Sequence, residues 1–376
     1  MTDLGEIVGT GVTAFVKAST EPAEVLGARA LRLALADAGV DLADVDLVVG
    51  ASRFEHPALG QRVLRRLGAT GASVINTENA CVSGMTGLQI ALAHVGAGMA
   101  RLAAVVGVER PSGLGSRTIP LPDADPYGRV GLTHPARYAL EASLYCHTHG
   151  VDPAALAAVA VKNRAHAVGN PNARFGTPVS LDEVVGAPMI APPLTRLQCC
   201  GNADGAAAVL VAPAGRGSRA GAVRVRALAT RSGRLAELPQ ARPLMARVAS
   251  VAYDAAGIGP EDVDVAEVYD GFSILEVLST EHLGFADEGS AADRIAGGAF
   301  RLGAGGLTTN PSGGLLGRGH PLGATALAQV AEIAEQLRER SGSRQVAGAR
   351  VGLVQTLGGN LRDLEANAAA VAVLAR

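Results

Sequence analysis

One stretch of this sequence occurs twice, and the repeat limits the folds that the chain can adopt. Residues 30–48 (ALRLALADAGVDLADVDLV) resemble residues 248–266 (VASVAYDAAGIGPEDVDVA). Gly39 aligns with Gly257, an offset of 218 residues that the flanking acidic residues keep. Each copy reads as a helix, a glycine stop, a short acidic turn and a strand. One repeat at a spacing near half the chain length predicts two similar α/β halves rather than a solenoid of many units.

Apolar runs of strand length alternate with amphipathic runs of helix length along the whole chain. The predicted strands are Val45–Gly50, Ala103–Val108, Ala206–Val211, Val223–Ala227, Val263–Tyr269 and Val351–Leu357. The predicted helices are Ala23–Ala38, Gly84–Gly98, Pro153–Ala167, Ala241–Ala256, Ser273–Leu283 and Ala324–Arg340. This alternation predicts an α/β fold with largely parallel sheets. With 376 residues of which 48% are hydrophobic, the chain can build a large core.

Charge and composition argue against several classes of protein. The formal net charge is −2 and no basic run occurs, so a nucleic-acid partner is not expected. No apolar stretch approaches the ~18 residues of a membrane span, and residues 1–23 do not read as a signal peptide. The four cysteines are Cys81, Cys146, Cys199 and Cys200. Without a secretory signal we expect them to be reduced thiols in the cytoplasm.

A cysteine stands just before a predicted helix, in the motif Asn79-Ala-Cys81-Val-Ser-Gly84. A thiol at a helix start lies near free backbone N–H groups and in the positive field of the helix dipole. That field is expected to lower the pKa of Cys81 and to favour the nucleophilic thiolate. The alternative is a buried, inert cysteine, which this motif by itself does not exclude.

A glycine-rich loop at 310–325 (NPSGGLLGRGHPLGAT) surrounds His320 and precedes a helix. Such a loop can bring the main chain and His320 close to a ligand, where the imidazole could donate to a carbonyl oxygen or take a proton. Tyr269 ends a predicted strand, which is where α/β folds place active sites. The alternatives are a surface histidine in a turn and a tyrosine that serves packing only.

Together these motifs resemble the thiolase superfamily, and the resemblance covers nearly the whole chain. The nucleophile loop of that superfamily resembles Ala80–Gly84, and its histidine loop resembles Gly319–Gly323. Residues 135–173 and Asp204–Ala208 are similar to the sterol-carrier-protein type of thiolase. The resemblance implies a duplicated fold, in which two similar halves form a layered αβαβα arrangement. Members of the superfamily are usually dimers or tetramers.

The same resemblance implies how the chain divides. Residues 1–215 would form the N-terminal half with Cys81 and an insertion of loops and helices at about 111–198. Residues 221–376 would form the C-terminal half with the His320 loop.

The sequence departs from the thiolase pattern at the second catalytic cysteine. Thr356 stands where many thiolases have that cysteine. A cysteine thiolate can act as a base near neutral pH, whereas a threonine hydroxyl cannot. The His-Asp-Cys-Phe motif of the sterol-carrier type reads Tyr269-Asp-Gly-Phe272 here, so its histidine and cysteine are both replaced. Ordinary thiolysis of a 3-ketoacyl-CoA is therefore not the expected reaction.

The remaining groups can perform acyl transfer. In this hypothesis Cys81 takes the acyl group from a CoA-type thioester, His320 and main-chain N–H groups hold the oxyanion, and Tyr269 assists proton transfer. A carbon, oxygen or nitrogen acceptor then attacks. The predicted substrate-binding residues are His56, Ser83, Gly319, Thr356 and Gly358. No metal or resident cofactor is expected, since CoA enters as part of the substrate.

Two other functions remain open. Some thiolase-like lyases that cleave CoA thioesters by a retro-aldol reaction have a Tyr-Asp-Gly-Phe loop and work with a small OB-fold, zinc-ribbon partner. In that reading Tyr269 is the acid or base and Cys81 is dispensable. The third possibility is a thioester-binding subunit without catalysis.

Cys199 and Cys200 are predicted to be core residues, and His134 has no evident task.

Overall fold

The structure is a computed structural model, and its secondary structure follows the alternation of the sequence. It describes residues 3–55, 57–115, 119, 126–215, 221–234, 242–359 and 366–376. The strands in this part of the chain are β1 (Gly5–Val12), β2 (Leu47–Ala51), β3 (Ser73–Thr77), β4 (Ala103–Glu109), β5 (Met189–Ala191), β6 (Leu194–Thr195), β7 (Gly205–Ala212), β8 (Val223–Ser232), β9 (Val265–Glu267), β10 (Thr308–Thr309), β11 (Val351–Gly358) and β12 (Ala368–Ala375).

The helices lie between these strands, with several short 3₁₀ turns beside them. They are α1 (Ala23–Ala38), α2 (Leu59–Leu67), α3 (Ser83–Gly96), α4 (Pro126–Arg129), α5 (His134–His149), α6 (Ala157–Ala167), α7 (Leu181–Val185), α8 (Leu244–Ala256), α9 (Ser273–His282), α10 (Ala291–Ala296), α11 (Gly314–Arg318) and α12 (Leu322–Leu337). Among the described residues, no helix has both the length and the apolar character needed to cross a bilayer.

The main sheet has a nearly symmetric strand order, and this symmetry is the structural form of the sequence repeat. Its ten strands run β10-β9-β11-β12-β8-β1-β7-β4-β2-β3. Read outward from the β8–β1 junction, the two sides repeat the same pattern. The offset of 218 residues maps β1 onto the start of β8, and it maps α1 onto a segment that contains α8. The predicted duplicated α/β fold is therefore confirmed.

The sheet is mixed, which differs from the prediction of largely parallel strands. β2 is parallel to β3 and β4, and β9 is parallel to β10 and β11. The central pairs, from β11 across the junction to β4, are antiparallel. Parallel pairs need a crossover helix, and such helices join the outer strands of each half. The strands β1, β3 and β12 were not predicted, and β9 is shorter than the predicted strand Val263–Tyr269.

The layers follow from which face each helix buries. Helices α1 and α2 pack on one side of the N-terminal strands, and α8 packs on the outer side of the C-terminal strands. Helices α3 and α12 pack against each other and against strands of both halves, so they form the middle layer. An apolar cluster that includes Met85, Leu88, Leu327 and Ile333 fills this layer. The result is the predicted αβαβα arrangement.

Two segments between β4 and β7 complete the walls of the site described next. Most of the residues between these strands are helical or in loops, as predicted for the insertion. The start of α5 carries His134, and the segment 199–202 precedes β7. Cys199 pairs by a β-bridge with Phe272, and Asn202 pairs with His320. Segment 199–202 therefore lies between the loop that contains Tyr269 (residues 269–272, the tyrosine loop) and the glycine-rich loop that contains His320 (residues 310–325, the histidine loop).

Candidate active site

Cys81 lies in a tight turn that side-chain hydrogen bonds stabilise. Ala80, just before it, has φ 48°, in the left-handed region that non-glycine residues rarely adopt. The hydroxyl of Ser83 donates to the Ala80 carbonyl oxygen at 2.6 Å and accepts from the Asn79 N–H at 2.8 Å. Helix α3 then begins at Ser83, two residues after the cysteine. Ser83 thus stabilises the turn that presents Cys81.

Hydrogen bonds hold both the backbone N–H and the ring Nδ1 of His320. Its backbone N–H donates to the Gly201 carbonyl oxygen at 3.1 Å. On the ring, Nδ1 lies 2.7 Å from the Thr325 hydroxyl oxygen, and that hydroxyl donates to the Pro321 carbonyl oxygen at 2.9 Å. Because the hydroxyl has one proton, its oxygen accepts from the imidazole Nδ1–H. Nε2 is therefore the ring nitrogen with a free lone pair.

Tyr269 follows β9, and two buried polar side chains hold its loop. The Tyr269 N–H donates to the Gln355 side-chain oxygen at 2.8 Å. The carboxylate of Asp270 accepts from the N–H groups of Leu315 and Leu316 at 2.6 and 3.1 Å, at the start of the helix that leads to His320. Burial, reinforced by the nearby Glu276 charge, raises the pKa of Asp270 to about 7. Asp270 therefore ties the tyrosine loop to the histidine loop.

A buried ion pair stands behind this loop. Lys162 of α6 contacts Glu276 of α9 at 2.7 Å, and both side chains are fully buried. Asn163 donates to Asp270 at 2.7 Å and to Glu276 at 2.6 Å, so it connects the ion pair to the tyrosine loop. A buried pair of this kind persists only when its remaining polar atoms are hydrogen-bonded, and the Glu276 carboxylate also accepts from Thr309 at 2.8 Å.

The three predicted catalytic side chains meet at one point. Cys81 Sγ lies 3.3 Å from His320 Nε2. The Tyr269 hydroxyl oxygen lies 3.2 Å from the same nitrogen and 3.5 Å from the sulfur. The cysteine comes from the N-terminal half and the other two from the C-terminal half, so folding closes the site across the two halves. The geometry allows Tyr269 O–H to donate to Sγ while Cys81 S–H donates to Nε2.

These side chains open into a small cavity of about 100 Å³. It is lined by Arg53, Cys81, Ile119, His134, Pro135, Tyr138, Cys200, Asn202, Tyr269, Phe272, His320, Leu322 and Gly359. The main chain of Gly359 lines the cavity, and its N–H acts to lower the pKa of the Cys81 thiol slightly, against the effect of burial. Most of the side-chain surface around the reacting groups is apolar.

Burial keeps the three groups uncharged. It raises the pKa of the Cys81 thiol, although the Tyr269 hydrogen bond and the Arg53 charge act in the opposite direction. The pKa of His320 falls to about 3, mainly through burial and then through the nearby cations. The pKa of Tyr269 is raised well above its usual value, again mainly by burial. The predicted lowering of the Cys81 pKa is wrong, because desolvation outweighs the helix field. The resting site is a neutral thiol beside a neutral imidazole.

Four of the five predicted substrate-binding residues, Ser83, Gly319, Thr356 and Gly358, lie near this cavity but outside its described wall. The Thr356 hydroxyl donates to the Cys81 carbonyl oxygen at 3.5 Å, and the Gly358 Cα packs against the turn at Asn79 and Val82. Gly319 has φ 100° and lies beside Ala203. Ser83 acts within the cysteine turn. His56 lies outside the described residues. For all five, contact with substrate stays a prediction.

Three other residues of the cavity wall were not predicted to lie at the site. Cys200 was predicted to be a core residue, but it lines the cavity because its N–H bonds to the Gly271 carbonyl oxygen at 3.0 Å. His134 was given no task, yet it also lines the cavity, with Nδ1 3.2 Å from the Ile119 carbonyl oxygen. Arg53 was not singled out at all. No local motif marks these residues, since tertiary pairing alone brings them to the site.

A larger groove of about 730 Å³ lies on the other side of α12 and is a weaker candidate. Its acidic side chains are paired with arginines, as in the contacts of Arg340 with Asp37 at 2.8 Å and with Glu335 at 2.6 Å. The Thr10 hydroxyl there lies within hydrogen-bond distance of the Asp37 and Glu335 carboxylates, but none of the residues that line the groove carries a thiol or an imidazole. The small cavity at Cys81 is therefore the candidate active site.

Two family models together match most of the chain. Residues 6–215 match the family model described as "Thiolase, N-terminal domain", and residues 234–376 match "Thiolase C-terminal domain-like". The chain belongs to the thiolase superfamily. Cys81 lies in the segment matched by the N-terminal model, and Tyr269 and His320 lie in the segment matched by the C-terminal one.

Individual thiolase relatives cover most of the chain. It is 36% identical over 343 residues to an acetyl-CoA acetyltransferase of Methanothermobacter thermautotrophicus, covering 87% of this chain and 88% of that protein. It is 32% identical over 373 residues to the benzoylsuccinyl-CoA thiolase subunit BbsB of Thauera aromatica, covering 95% of each. Among solved structures, the Ltp2-ChsH2(DUF35) aldolase superposes with a TM-score of 0.86 at 26% identity, covering 100% of this chain and 98% of that one.

Proposed function

We propose that this thiolase-family protein is an acyltransferase that moves an acyl group from a CoA-type thioester through acyl-Cys81 to a carbon, oxygen or nitrogen acceptor. One observation carries the proposal: the Cys81 sulfur lies 3.3 Å from His320 Nε2 in a small cavity. A nucleophile within hydrogen-bond reach of a base that a third group orients is the arrangement covalent catalysis needs. Thr325 is the orienting group.

The first step starts from the neutral pair. As Sγ attacks the thioester carbonyl carbon, the Cys81 proton passes to His320 Nε2, whose lone pair faces the sulfur. The carbonyl oxygen becomes an oxyanion, for which the Gly359 N–H and the Tyr269 hydroxyl are the proposed donors. When the carbon–sulfur bond to CoA breaks, the leaving thiolate takes the proton from Nε2. CoASH departs and the acyl group stays on Cys81.

The second step depends on the acceptor. Its nucleophilic atom attacks the acyl carbon while the acceptor gives up a proton to His320 Nε2. The Cys81 sulfur then leaves and takes that proton from Nε2. Neither Thr356 nor Gly271 supplies the second thiol that thiolases use to remove a carbon-bound proton. An acceptor that is already electron-rich, such as an enol or a phenol, would need no such base.

Trapping the acyl-enzyme tests this proposal. Intact-protein mass spectrometry after brief incubation with a panel of acyl-CoAs should show a mass gain that hydroxylamine removes. The gain should vanish in Cys81→Ala and persist in Cys200→Ala, which removes another thiol of the same cavity. An adduct that survives Cys81→Ala, or no adduct with any donor, would overturn acyl transfer through Cys81.

A retro-aldol lyase is the second candidate, favoured by the likeness to the Ltp2-ChsH2(DUF35) aldolase and by the Tyr269 hydroxyl at 3.2 Å from His320 Nε2. Tyr269 would then remove the hydroxyl proton of a 3-hydroxyacyl-CoA while passing its own proton to His320 Nε2. As the Cα–Cβ bond breaks, the resulting enolate would take a proton at Cα from that imidazolium. Such cleavage would be lost in Tyr269→Phe and kept in Cys81→Ala, the reverse of the pattern expected for acyl transfer. A thioester-binding subunit would show neither reaction.

The proposal includes partners and location. The thioester substrate brings CoA, and we include no other cofactor and no metal. A homodimer or tetramer is proposed, and an OB-fold, zinc-ribbon partner applies if the lyase reading holds. Light scattering of the purified protein, alone and with such a partner, tests both. A cytoplasmic location fits the four cysteines, which are all free thiols.

A further inference from the structure

Arg53 is a cationic residue in the wall of the cavity, and it has no role in the acyl-transfer steps proposed above. It follows β2 by two residues and lines the same space as Cys81 and His320. Its guanidinium carbon lies 5.0 Å from the centre of the Phe54 ring, a cation–π contact on one face. Among the described residues, no carboxylate or carbonyl group accepts a hydrogen bond from this guanidinium. A guanidinium has five N–H donors, so several are available to a ligand.

The loop that carries Arg53 is held in place. Glu109, at the end of β4, is fully buried, and its two carboxylate oxygens accept from the N–H groups of Arg53 and Phe54, each at 2.9 Å. The same carboxylate accepts from the Gly323 N–H at 3.1 Å, at the start of α12. Glu109 therefore ties the backbone of the Arg53 loop to the helix that follows His320, so Cα of Arg53 is held in the wall of the cavity.

The positive charge of Arg53 lowers the pKa values of both Cys81 and His320. It opposes the rise in the Cys81 pKa that burial causes, and after burial, Arg318 and His134 it is a further cause of the lowered His320 pKa. The cavity wall nearby is mostly apolar, with Ile119, Pro135, Phe272 and Leu322 among its residues. Arg53 is half-buried and lines this space, so its guanidinium is available to a bound anion there.

We propose that Arg53 binds a carboxylate on the acyl portion of the thioester, so that the substrate class is the CoA thioester of a dicarboxylic acid. Arginine matches a carboxylate bidentately, with two parallel N–H···O bonds. The phosphates of CoA are a poor match, because the pantetheine arm lies between them and the thioester sulfur that must reach Cys81. This inference rests on the proposed thioester site at Cys81.

Equilibrium binding tests the inference apart from the chemistry. Titration calorimetry on Cys81→Ala, which cannot be acylated at Cys81, compares succinyl-CoA, butyryl-CoA and CoA. We expect succinyl-CoA to bind at least about tenfold more tightly than butyryl-CoA, since a charge-assisted hydrogen bond contributes that much or more. In Cys81→Ala with Arg53→Gln the ratio should fall to about twofold or less, and Arg53→Lys should keep part of it.

Arg66→Gln is the matched control. This arginine of α2 pairs with Glu24 on the surface and does not line the cavity, so the ratio should stay as in Cys81→Ala alone. Equal affinity for succinyl-CoA and butyryl-CoA, or a ratio that Arg53→Gln leaves unchanged, overturns the inference. So does an equal loss of affinity for CoA, which would assign Arg53 to a phosphate. Failure of acyl transfer would appear separately, as no acyl adduct in the wild type.

Discussion

The bond between Thr325 and His320 offers a direct test of how the base is prepared. Replacing Thr325 by valine keeps the size of the side chain and removes the oxygen that accepts from Nδ1–H at 2.7 Å. Both residues are buried, so water cannot easily replace that oxygen. The imidazole would then lose its preference for carrying the proton on Nδ1. With the proton on Nε2, it could no longer accept the Cys81 proton.

The expected effect follows from the cost of an unsatisfied buried donor. Leaving such a group without its partner costs roughly 1–3 kcal/mol. If that cost falls on the productive form of His320, acylation of Cys81 slows by roughly 5- to 150-fold, at 1.4 kcal/mol for each factor of ten. Thr325→Ser keeps the hydroxyl and should stay close to the wild-type rate.

Two measurements check this expectation. Single-turnover release of CoA from an acyl-CoA gives the acylation rate, and ¹⁵N spectra of labelled histidine, with His320→Gln for assignment, report which ring nitrogen is protonated. The wild type should carry the proton on Nδ1 at pH 7, since the pKa of His320 is lowered to about 3 and the ring is neutral. The reasoning is wrong if Thr325→Val acylates at the wild-type rate, or if Thr325→Ser is as slow as Thr325→Val.

Three further predictions concern stability and reactivity. Lys162→Met leaves the buried Glu276 unpaired and should lower the free energy of unfolding by roughly 3–5 kcal/mol, whereas Arg29→Met at an exposed pair should cost less than about 1 kcal/mol; equal losses in denaturant melts would contradict this. Alkylation of Cys81, followed by peptide mass spectrometry, should keep rising above pH 9, because burial raises its pKa; a plateau below pH 8 would count against a neutral thiol. Gly107→Ala should cost about 1–3 kcal/mol, since a Cβ there would clash with the main chain at the start of α12; unchanged stability would show that α12 can move.

The fold was accessible from local patterns because each half forms its own elements. Helix α1 matches its prediction to the residue, since its alanine- and leucine-rich run ends at Gly39, which adopts φ 61° as a helix C-cap. The repeat at an offset of 218 residues predicted the symmetry of the sheet. Strands β1 and β12 were missed because central strands of small apolar residues, such as Ala368–Ala375, resemble buried helix in sequence. The antiparallel centre of the sheet depends on how the halves join, which no local pattern records.

The candidate site divides in the same way. Local motifs were enough to predict the two loops of unusual composition, around Cys81 and His320, and the tyrosine at a strand end. Only the tertiary structure decided that they meet within 3.5 Å, and that Arg53, His134 and Cys200 share their cavity. It also reversed the expected charge state of Cys81. A helix field acts within one turn and can be read locally, whereas desolvation depends on every segment that folds over the thiol.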